Sequence, residues 1–312
     1  MSRVVSFGEI LWDKLPSGKV PGGAPLNFAY RLNSFQNSIS IISMVGDDSL
    51  GKELMEFLKV SSLDTDHIQI SKIYKTGEVN VSIDKNGIAN YDILNPVAWD
   101  DITLNPKNIA LTKNSSIFVF GSLICRNITS RKTLKELLKI APFKLFDINL
   151  RSPYYNKNLI EELMISSDFI KFNYEEIEEI STIYNKKKGT LENMIKTISE
   201  KTKTNNVCVT MGEKGACYYT NNLFYYQDGF KINALDTVGA GDSFLATLAE
   251  GILNKTKPQE ILKKACAVAA LVASKKGATP LVSVTDINYL IEKKYFFNWS
   301  GKFYNFENFY EK

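Results

Sequence analysis

Histidine is almost missing from this chain, since His67 is the only one in 312 residues. A serine–histidine–aspartate triad needs a histidine to take a proton, and most zinc hydrolases need several as ligands. Both kinds of chemistry are therefore hard to build here. His67 lies in the run SSLDTDHIQI, and we expect it at the surface or at the edge of a sheet.

Paired cysteines, a signal peptide and long apolar runs are also missing. The cysteines form no CxxC pair, and most lie in apolar runs, so we expect free, buried thiols in a reducing compartment. The run MSRVVSFGEILW lacks the basic region, apolar stretch and cleavage site of a signal peptide. No apolar run is long enough to span a bilayer, and we expect a cytoplasmic protein without a membrane partner. The cysteines are Cys125, Cys208, Cys217 and Cys266.

The charge pattern offers no footprint for nucleic acid. The net charge of +4 is spread along the chain, and the densest basic run, 186–188, is short enough to be a solvated loop. Hydrophobic residues at 44% and charged residues at 23% are ordinary for a globular protein. No linker rich in proline, glycine or serine interrupts the chain, so we expect a single domain over residues 1–312.

Short β-rich runs alternate with helical runs through most of the length. RVVSF (3–7) is typical of a buried strand, and PLNFAYRLNSF (25–35) follows as a helix with Pro25 in its first turn. Strand, helix, strand at this spacing requires right-handed crossovers. The sequence therefore predicts an α/β fold, with a doubly wound, mostly parallel sheet and helices on both faces.

One region departs from this alternation. Residues 68–94 contain strand after strand, with a KNG turn between VNVSI and IANYDIL, which predicts a small antiparallel sheet. We expect this sheet, together with the loop DKLPSGKVPGG (13–23), to form a β lid over a site, built from about 11–22 and 68–100. The segment 295–312 is too aromatic for a free tail, and we expect it to pack on the domain surface.

The run LDTVGAGDSF (235–244) places two glycines just before an apolar helical pattern. Successive backbone N–H groups at such a turn form an anion site, because glycine lets a ligand approach closely and the helix dipole favours negative charge. An aspartate cap would explain Asp236 or Asp242 alone. It would not explain the Gly-Ala-Gly run 239–241 as well, so an anion site is the better interpretation.

Another glycine pair, in GDDSLGKE (46–53), fits the spacing G-x-x-x-x-G-K of a phosphate-binding loop. Glu53 stands where such a loop needs serine or threonine for magnesium. Asp47 and Asp48 would put negative charges inside the phosphate cradle. We therefore expect a strand–turn–helix junction with acidic capping residues.

Two further runs open helices. GGAPLNFA (22–29) contains a glycine pair, and its Asn27 could hydrogen-bond a polyol, although such a run alone is more often a turn and a cap. KFNYEEIEE (171–179) ends a strand and opens a helix with clustered carboxylates, which alone is usually an acidic helix start.

Together these runs resemble the ribokinase-like sugar kinases of the pfkB family, and within it the fructokinases. The resemblance covers nearly the whole chain in matching order. It is most specific at DTVGAGDSF, which resembles the family's C-terminal signature, and GGAPLNFA resembles its N-terminal signature. The other runs that carry it are GEILWD (8–13), MVGDDSLGKELMEFL (44–58), NPVAWDDI (95–102), DINLRSPYY (147–155), NYEE (173–176), TMGEKGA (210–216) and SKKGATP (274–280).

The resemblance implies a ribokinase-like fold and transfer of the γ-phosphoryl group of ATP to a sugar hydroxyl. Asp242 would accept the hydroxyl proton, and the amides of the turn before it would stabilise charge on the transferring group. The small sheet would be the lid that excludes water. In relatives the lid can also form a dimer interface, so a homodimer through the lid is a further expectation. The implied turn residues are Gly239, Ala240 and Gly241.

The resemblance also implies contacts around that turn. Asn173 and Glu176 would act on the phosphates through Mg²⁺ and its waters, because magnesium keeps several waters. The implied nucleotide contacts beyond these are Thr210, Gly212 and Gly215. The implied sugar contacts are Asp13, Gly23 and Asn27. A monovalent-cation site, for K⁺, is matched by Asp236, Thr237, Lys275 and Gly277, and this site varies within the family.

The identity of the acceptor stays open at this stage. A 2-keto-3-deoxygluconate kinase needs cationic help for the substrate carboxylate, and the lid run IANYDILNPVAWD has no arginine. Lys14 and Lys19 could serve a phosphorylated sugar or could simply be solvated, and Arg151 does not discriminate. Fructose fits best, followed by ribose or another neutral sugar.

Two other readings of the chain remain. A nucleoside kinase is an alternative, because family members share the phosphate machinery. A catalytically silent, sugar-binding member of the family is a second alternative. Loss of Asp242 or of the Gly-Ala-Gly turn would favour the silent protein, and both are intact.

Overall fold

The computed structural model describes residues 3–16, 18–83, 89–184 and 189–300, with side chains described over the same ranges except 82–91 and 293–300. Elements are numbered in chain order. The strands are β1 (Arg3–Phe7), β2 (Leu11–Leu15), β3 (Gly18–Gly22), β4 (Ser38–Gly46), β5 (Ile68–Ser71), β6 (Gly77–Ile83), β7 (Ala89–Ile93), β8 (Ile117–Gly121), β9 (Lys144–Asp147), β10 (Phe169–Asn173), β11 (Val207–Thr210), β12 (Ala216–Thr220) and β13 (Leu223–Gln227). The helices are α1 (Ala24–Ser34), α2 (Ser49–Val60), α3 (Pro106–Lys113), α4 (Ile128–Leu138), α5 (Lys157–Ile165), α6 (Tyr174–Tyr184), α7 (Leu191–Thr202), α8 (Ala240–Leu253), α9 (Pro258–Ala273) and α10 (Val284–Ser300).

Within these ranges the larger sheet has nine strands, in the order β13-β12-β11-β10-β9-β8-β1-β4-β5. Neighbouring strands pair in parallel from β5 to β11, and β12 and β13 add antiparallel pairs at one edge. Parallel neighbours need crossover connections, and the intervening helices supply them. The predicted doubly wound, mostly parallel sheet is confirmed.

Helices cover both faces of this sheet, because its central strands are apolar on both faces. On β8, Phe118 and Phe120 join a buried cluster with α4, α5, α6 and α7. Val119, between them, joins a second cluster with α1, α2, α8 and α9. Successive side chains of a strand point to opposite faces, so each central strand contributes to two cores.

A second, smaller sheet has the strand order β3-β2-β6-β7. β6 and β7 pair antiparallel, as predicted. β2 and β3 form a further antiparallel pair, and β2 and β6 pair in parallel. The expected lid range 68–100 is divided, because β5 extends the large sheet and Trp99 is fully buried in its core. The predicted KNG turn, at 85–87, lies outside the described residues.

The carboxyl ends of the parallel strands are the place where a site is expected. The chain proceeds from β1 to β4 and β5 on one side, and then builds β8 to β11 on the other side of β1. Open α/β sheets bind ligands at the carboxyl ends of the strands on either side of such a reversal. The strand ends of β1, β8, β9 and β10 therefore frame the expected site.

The predictions of free, buried cysteines and of an edge position for His67 are confirmed. Cys125, Cys208, Cys217 and Cys266 are all free and buried. His67 directly precedes the edge strand β5, and its Nδ1 lies 3.0 Å from Oδ1 of Asn108. Across the described ranges we find no helix with the length and apolar character needed to cross a membrane. The runs 186–188 and 295–312 lie outside the residues whose side chains are described.

Candidate active site

Helix α8 begins at the predicted anion turn without a side-chain cap. Gly239 has φ 75°, and a Cβ there would lie 2.3 Å from the carbonyl oxygen of Ala278, so the position requires glycine. Among the described residues, the amides of Gly239, Gly241 and Asp242 have no acceptor. The Ala240 amide differs, because it donates to Thr237 O at 3.2 Å. Three free N–H groups at a helix N-terminus form an anion site.

Asp242 lies in the first turn of α8, half-buried. Nδ2 of Asn27, on α1, donates to Oδ2 of Asp242 at 2.8 Å. Burial raises the pKa of Asp242 from 3.8 to about 6, the Asn27 hydrogen bond opposes the rise, and the charge of Asp147 adds to it. Such a carboxylate is ionised at neutral pH and close to its protonation range, as a general base requires.

The predicted sugar contacts lie around the same point. Asp13, on β2, has its pKa raised from 3.8 to about 6 by burial and then by the charge of Asp242. Gly23 has φ 103°, and a Cβ there would lie 2.4 Å from the carbonyl oxygen of Glu9. Asn27 Oδ1 is buried and has no hydrogen-bond partner among the residues that the structure describes. A buried acceptor of this kind is expected to receive a donor from a ligand or water.

Glu9 is a buried carboxyl that the motifs do not single out. It lines a pocket with about 310 Å³ of empty space, together with Gly121, Asp147 and Asp242. Burial raises the pKa of Glu9 from 4.5 to about 7, while Arg151 lowers it and Asp242 raises it. The available signal was a glutamate two residues after the buried strand β1, within the run GEILWD.

The NYEE run at the start of α6 forms a reciprocal cap. Asn173 Oδ1 accepts from Glu176 N at 2.7 Å, and Glu176 Oε2 accepts from Asn173 N at 2.8 Å. Oε1 of Glu176 accepts from Leu150 N at 2.9 Å. Burial raises the pKa of Glu176, and Lys171 opposes the rise. The local geometry is therefore a capping box, beside the anion turn.

The side chains of this region could supply only a few of the contacts to a magnesium ion, so the ion would be held mainly by other groups. No cluster of three or more metal-binding side chains occurs within the described part of the chain. Glu176 accepts two backbone hydrogen bonds, yet a carboxylate has about four lone-pair sites. It can therefore still hold waters of an ion that keeps most of its own water shell.

The predicted nucleotide turn follows β11, next to β10. The Thr210 hydroxyl donates to Phe172 O at 3.3 Å. Gly215 has φ 98°, and a Cβ there would lie 1.9 Å from Gln227 O. Gly212 has φ 57° and open space around it. The turn is therefore exposed at Gly212 and closely packed at Gly215.

The predicted cation residues come together beside the anion turn. Asp236 Oδ1 accepts from Val238 N, and Oδ2 accepts from Gly277 N, each at 3.0 Å. Lys275 Nζ donates to Leu281 O at 2.6 Å. A carboxylate and turn carbonyls are oxygen donors, which suit a hard cation.

Two buried cations next to the start of α8 were missed by the motifs. Lys171 on β10 forms an ion pair with Asp147 at 3.1 Å. Arg31 on α1 donates to Ser243 Oγ at 3.2 Å and to Pro280 O at 2.7 Å, and burial lowers its pKa to about 10. In both cases the sequence signal that could have identified the cation was a charged residue within a run that is otherwise buried.

Comparison with known proteins defines the class. A fold with these parallel strands and an uncapped glycine turn suits a phosphotransferase, and the sequence profile of pfkB family carbohydrate kinases matches residues 17–284. That match spans most of the chain, so the chain belongs to the pfkB family of carbohydrate kinases.

Individual relatives are similar over nearly their whole length. Fructokinase-2 of Solanum habrochaites is 30% identical over 309 residues, which cover 89% of this chain and 92% of the relative. The crystal structure of an uncharacterized sugar kinase from Pyrococcus horikoshii has a TM-score of 0.78 at 29% identity, covering 93% of this chain and 100% of that one. A fructokinase with bound ATP from Xylella fastidiosa has a TM-score of 0.82 at 20% identity, covering 94% and 99%. These similarities confirm the ribokinase-like fold.

Proposed function

We propose that this protein is an ATP-dependent kinase that transfers the γ-phosphoryl group to a hydroxyl of a neutral sugar, with fructose as its acceptor. One observation carries the proposal: Asp242, with a pKa raised by burial to about 6, stands at an uncapped helix N-terminus. A proton acceptor and free amide donors at one point are the two groups that hydroxyl phosphorylation needs.

Each group would then have one task. Asp242 takes the proton of the attacking hydroxyl, and the Asn27 hydrogen bond orients its carboxylate. The amides of Gly239, Gly241 and Asp242 stabilise charge on the transferring group. Magnesium, when bound with the nucleotide, neutralises phosphate charge, and Glu176 is the carboxylate that would hold its waters.

The acceptor side is suited to hydroxyl groups. Asp13 and Asp242 offer carboxylate oxygens, and Asn27 Oδ1 is a buried acceptor that no described residue pairs with. A polyol carries both donors and acceptors, so it would satisfy these groups in pairs. Glu9 lines the same pocket, and it would complete this polar surface.

A charged acceptor has less support. Lys14 forms an ion pair with Glu78, and Lys19 forms one with Glu53 at 2.5 Å, so both have carboxylate partners. An unpaired negative charge in a closed site costs several kcal/mol. Arg151 is exposed and lowers the pKa of Asp13, and it does not discriminate between a neutral and a charged acceptor.

We also propose that the chain is one kinase domain whose small sheet is its lid. Asp13 lies on β2, so the sheet carries a predicted sugar contact. Trp12 Nε1 donates to Leu50 O at 3.0 Å, and Arg126 donates to Leu94 O at 2.6 Å. These contacts join β2 and the end of β7 to the rest of the domain. A homodimer through this sheet stays part of the proposal.

A panel of acceptors tests the function. Purified protein with Mg²⁺ and ATP is offered fructose, ribose, 2-keto-3-deoxygluconate, fructose 1- and 6-phosphate, and nucleosides, and product is measured. We expect kcat/KM for fructose at least about tenfold above ribose, a gap of about 1.4 kcal/mol, and charged acceptors lower still.

The other outcomes identify the alternatives. A charged acceptor or nucleoside in first place would overturn the fructose assignment and leave the kinase assignment intact. Ribose in first place would indicate a ribokinase. No product from any acceptor, with sugar binding retained by calorimetry, would indicate a catalytically silent sugar-binding protein.

A further inference from the structure

The central strands carry an ion pair at the site end of the sheet. Lys171 lies near the end of β10, and Asp147 ends the neighbouring strand β9. Lys171 Nζ donates to Asp147 Oδ1 at 3.1 Å, and the two side chains are 8% and 7% exposed. A lysine this deeply buried is rare unless paired, and the proton-transfer scheme above uses neither residue.

The ammonium group of Lys171 faces the anion turn. The position that a Cβ on Gly241 would occupy is 3.5 Å from Lys171 Nζ. Burial favours the neutral amine, but the carboxylates of Asp147, Glu176 and Asp242 outweigh it and raise the pKa of Lys171. The group is therefore a charged ammonium at neutral pH, next to the free amides of α8.

The ammonium group of Lys171 has more N–H donors than its described hydrogen bonds use. An ammonium carries three N–H groups, and among the residues that the structure describes Asp147 is its one hydrogen-bond acceptor. The amides of Gly241 and Asp242 are free on the same side. Phosphoryl transfer spreads negative charge over three oxygens, and fixed cations and amides aimed at that charge supply most of the catalysis.

We propose that Lys171 is a further catalytic residue, which donates a hydrogen bond to the transferring phosphoryl group opposite the α8 amides. This inference rests on the proposed function. The sugar oxygen forms a bond to the γ-phosphorus, the bond from that phosphorus to the bridging oxygen breaks, and its electron pair leaves with ADP. The hydroxyl proton goes to Asp242, and Lys171 keeps its proton throughout.

Asp147 is the positioning residue in this scheme. Without it, the nearest carboxylates for the ammonium would be Glu176 and Asp242. An ion pair with Asp242 would lower the proton affinity of the base. Asp147 therefore holds the ammonium at the turn and leaves Asp242 with its Asn27 hydrogen bond.

The same two strands contain a matched control. Lys144, at the start of β9, pairs with Asp168 at 3.1 Å, with side chains 22% and 40% exposed. The two ion pairs have the same length and join the same strands at opposite ends. If both lysines had a purely structural role, removing either one would have a similar effect on kcat. Removing the more buried one would only cost more stability.

The test compares Lys171→Met with Lys144→Met in the full chain, with fructose and ATP as substrates. We expect kcat of Lys171→Met to fall about 10²- to 10³-fold, as for loss of one transition-state donor, with KM for fructose within a few-fold. Lys144→Met should keep kcat within a few-fold. Lys171→Arg should recover part of the loss, because it restores a cation.

A second measurement reports binding without turnover. Thermal shifts are recorded with ADP, Mg²⁺ and fructose, and again after adding aluminium fluoride, which mimics the transferring group. We expect Lys171→Met to keep the shift from ADP and to lose the extra shift from aluminium fluoride. Lys144→Met should keep both shifts.

A buried, unpaired Asp147 could unfold the single variant, and the double variant Lys171→Met with Asp147→Leu removes both charges. If the folded single or double variant keeps kcat within fivefold of wild type, the inference is wrong. Equal losses in the Lys171 and Lys144 variants would also overturn it. A wild-type protein that phosphorylates no acceptor would overturn the proposed function, and this inference with it.

Discussion

Helices α2 and α8 both begin at a glycine-rich turn with an aspartate, but only at α2 does the aspartate side chain cap the helix. At α2, Asp48 accepts from Gly51 N at 2.7 Å. It also accepts from Thr76 N at 2.8 Å and from Thr76 Oγ1 at 2.7 Å. At α8, Gly239 is the cap and supplies no side chain. An anion site depends on unoccupied amides, and the number of glycines does not reveal them.

The two aspartates differ for the same reason. Burial opposes ionisation of Asp48, but hydrogen bonds from Thr76 and Gly51 outweigh it and lower its pKa. Asp242 has one such bond, from Asn27, and burial raises its pKa to about 6. The carboxylate of Asp48 is used to hold the fold, whereas that of Asp242 remains available to take a proton.

Glycine substitutions should give the largest difference in effect between the α2 turn and the α8 turn. Gly241→Val adds a β-branched side chain where the phosphate should approach, while its Cβ would be no closer than 3.5 Å to Lys171 Nζ. We expect loss of kinase activity with the fold retained by circular dichroism. At Gly51 a Cβ would lie 2.2 Å from Gly46 O, so Gly51→Ala should lower Tm. A folded, fully active Gly241→Val variant would mean that the α8 turn is only a cap.

Exchanging the aspartates tests the proton acceptor. Asp242→Asn keeps the size of the side chain and removes proton acceptance, so we expect kcat to fall at least about 10²-fold, with sugar binding largely retained by calorimetry. Asp48→Ala should cost about 1 kcal/mol of stability through the lost cap and leave kcat nearly unchanged. Near-normal turnover in Asp242→Asn would contradict the assignment of the base.

The stability of the fold should depend on pH in opposite ways for the carboxyls with raised pKa values and for the one with a lowered pKa. Burial raises the pKa of Asp242 and Asp13 from 3.8 to about 6, and of Glu9 from 4.5 to about 7. The folded state then binds more protons than the unfolded chain within those windows, so these groups make Tm fall as pH rises from about 4 to about 7. The lowered pKa of Asp48 acts in the other sense, since its contribution is lost as pH falls below its ordinary value of 3.8.

Thermal scans of two variants check this. Asp242→Asn should weaken the fall of Tm between pH 4 and 7, and Asp48→Asn should weaken the loss of Tm at more acid pH. In the wild type, kcat/KM should rise through about pH 6 as Asp242 loses its proton. A Tm that rises steadily across that range would show that these carboxyls do not keep raised pKa values in solution.

Of these changes, adding potassium should have the smallest effect on activity, and it should affect only the turn at the start of α8. Asp236 bonds to Gly277 N at 3.0 Å, and the Ala278 carbonyl lies against Gly239, so an ion there would stiffen the anion turn. We expect activity in K⁺ to exceed that in a bulky organic cation at equal ionic strength by a few-fold. Identical rates in both salts would remove the cation site from the proposal.

Local patterns determined most of the fold. An apolar run bounded by turns predicted β1, and a helical period with Pro25 predicted α1 within a residue at each end. The doubly wound sheet followed from the order of these elements alone. The strand character of β2 and β3 was missed, because the run DKLPSGKVPGG looks like a loop until β6 pairs with β2.

The glycines, the aspartate and the apolar period that follows were enough to locate the α8 turn, since helix starts depend on near neighbours. What occupies a helix start is decided by residues distant in the chain. Thr76 reaches Asp48 across 28 positions, and Asn27 reaches Asp242 across 215. Lys171 and Asp147 meet only because β9 and β10 are neighbours. Burial and contact between distant segments set the pKa values of Asp48 and Asp242. Only the tertiary structure therefore distinguishes the uncapped turn of α8 from the capped turn of α2.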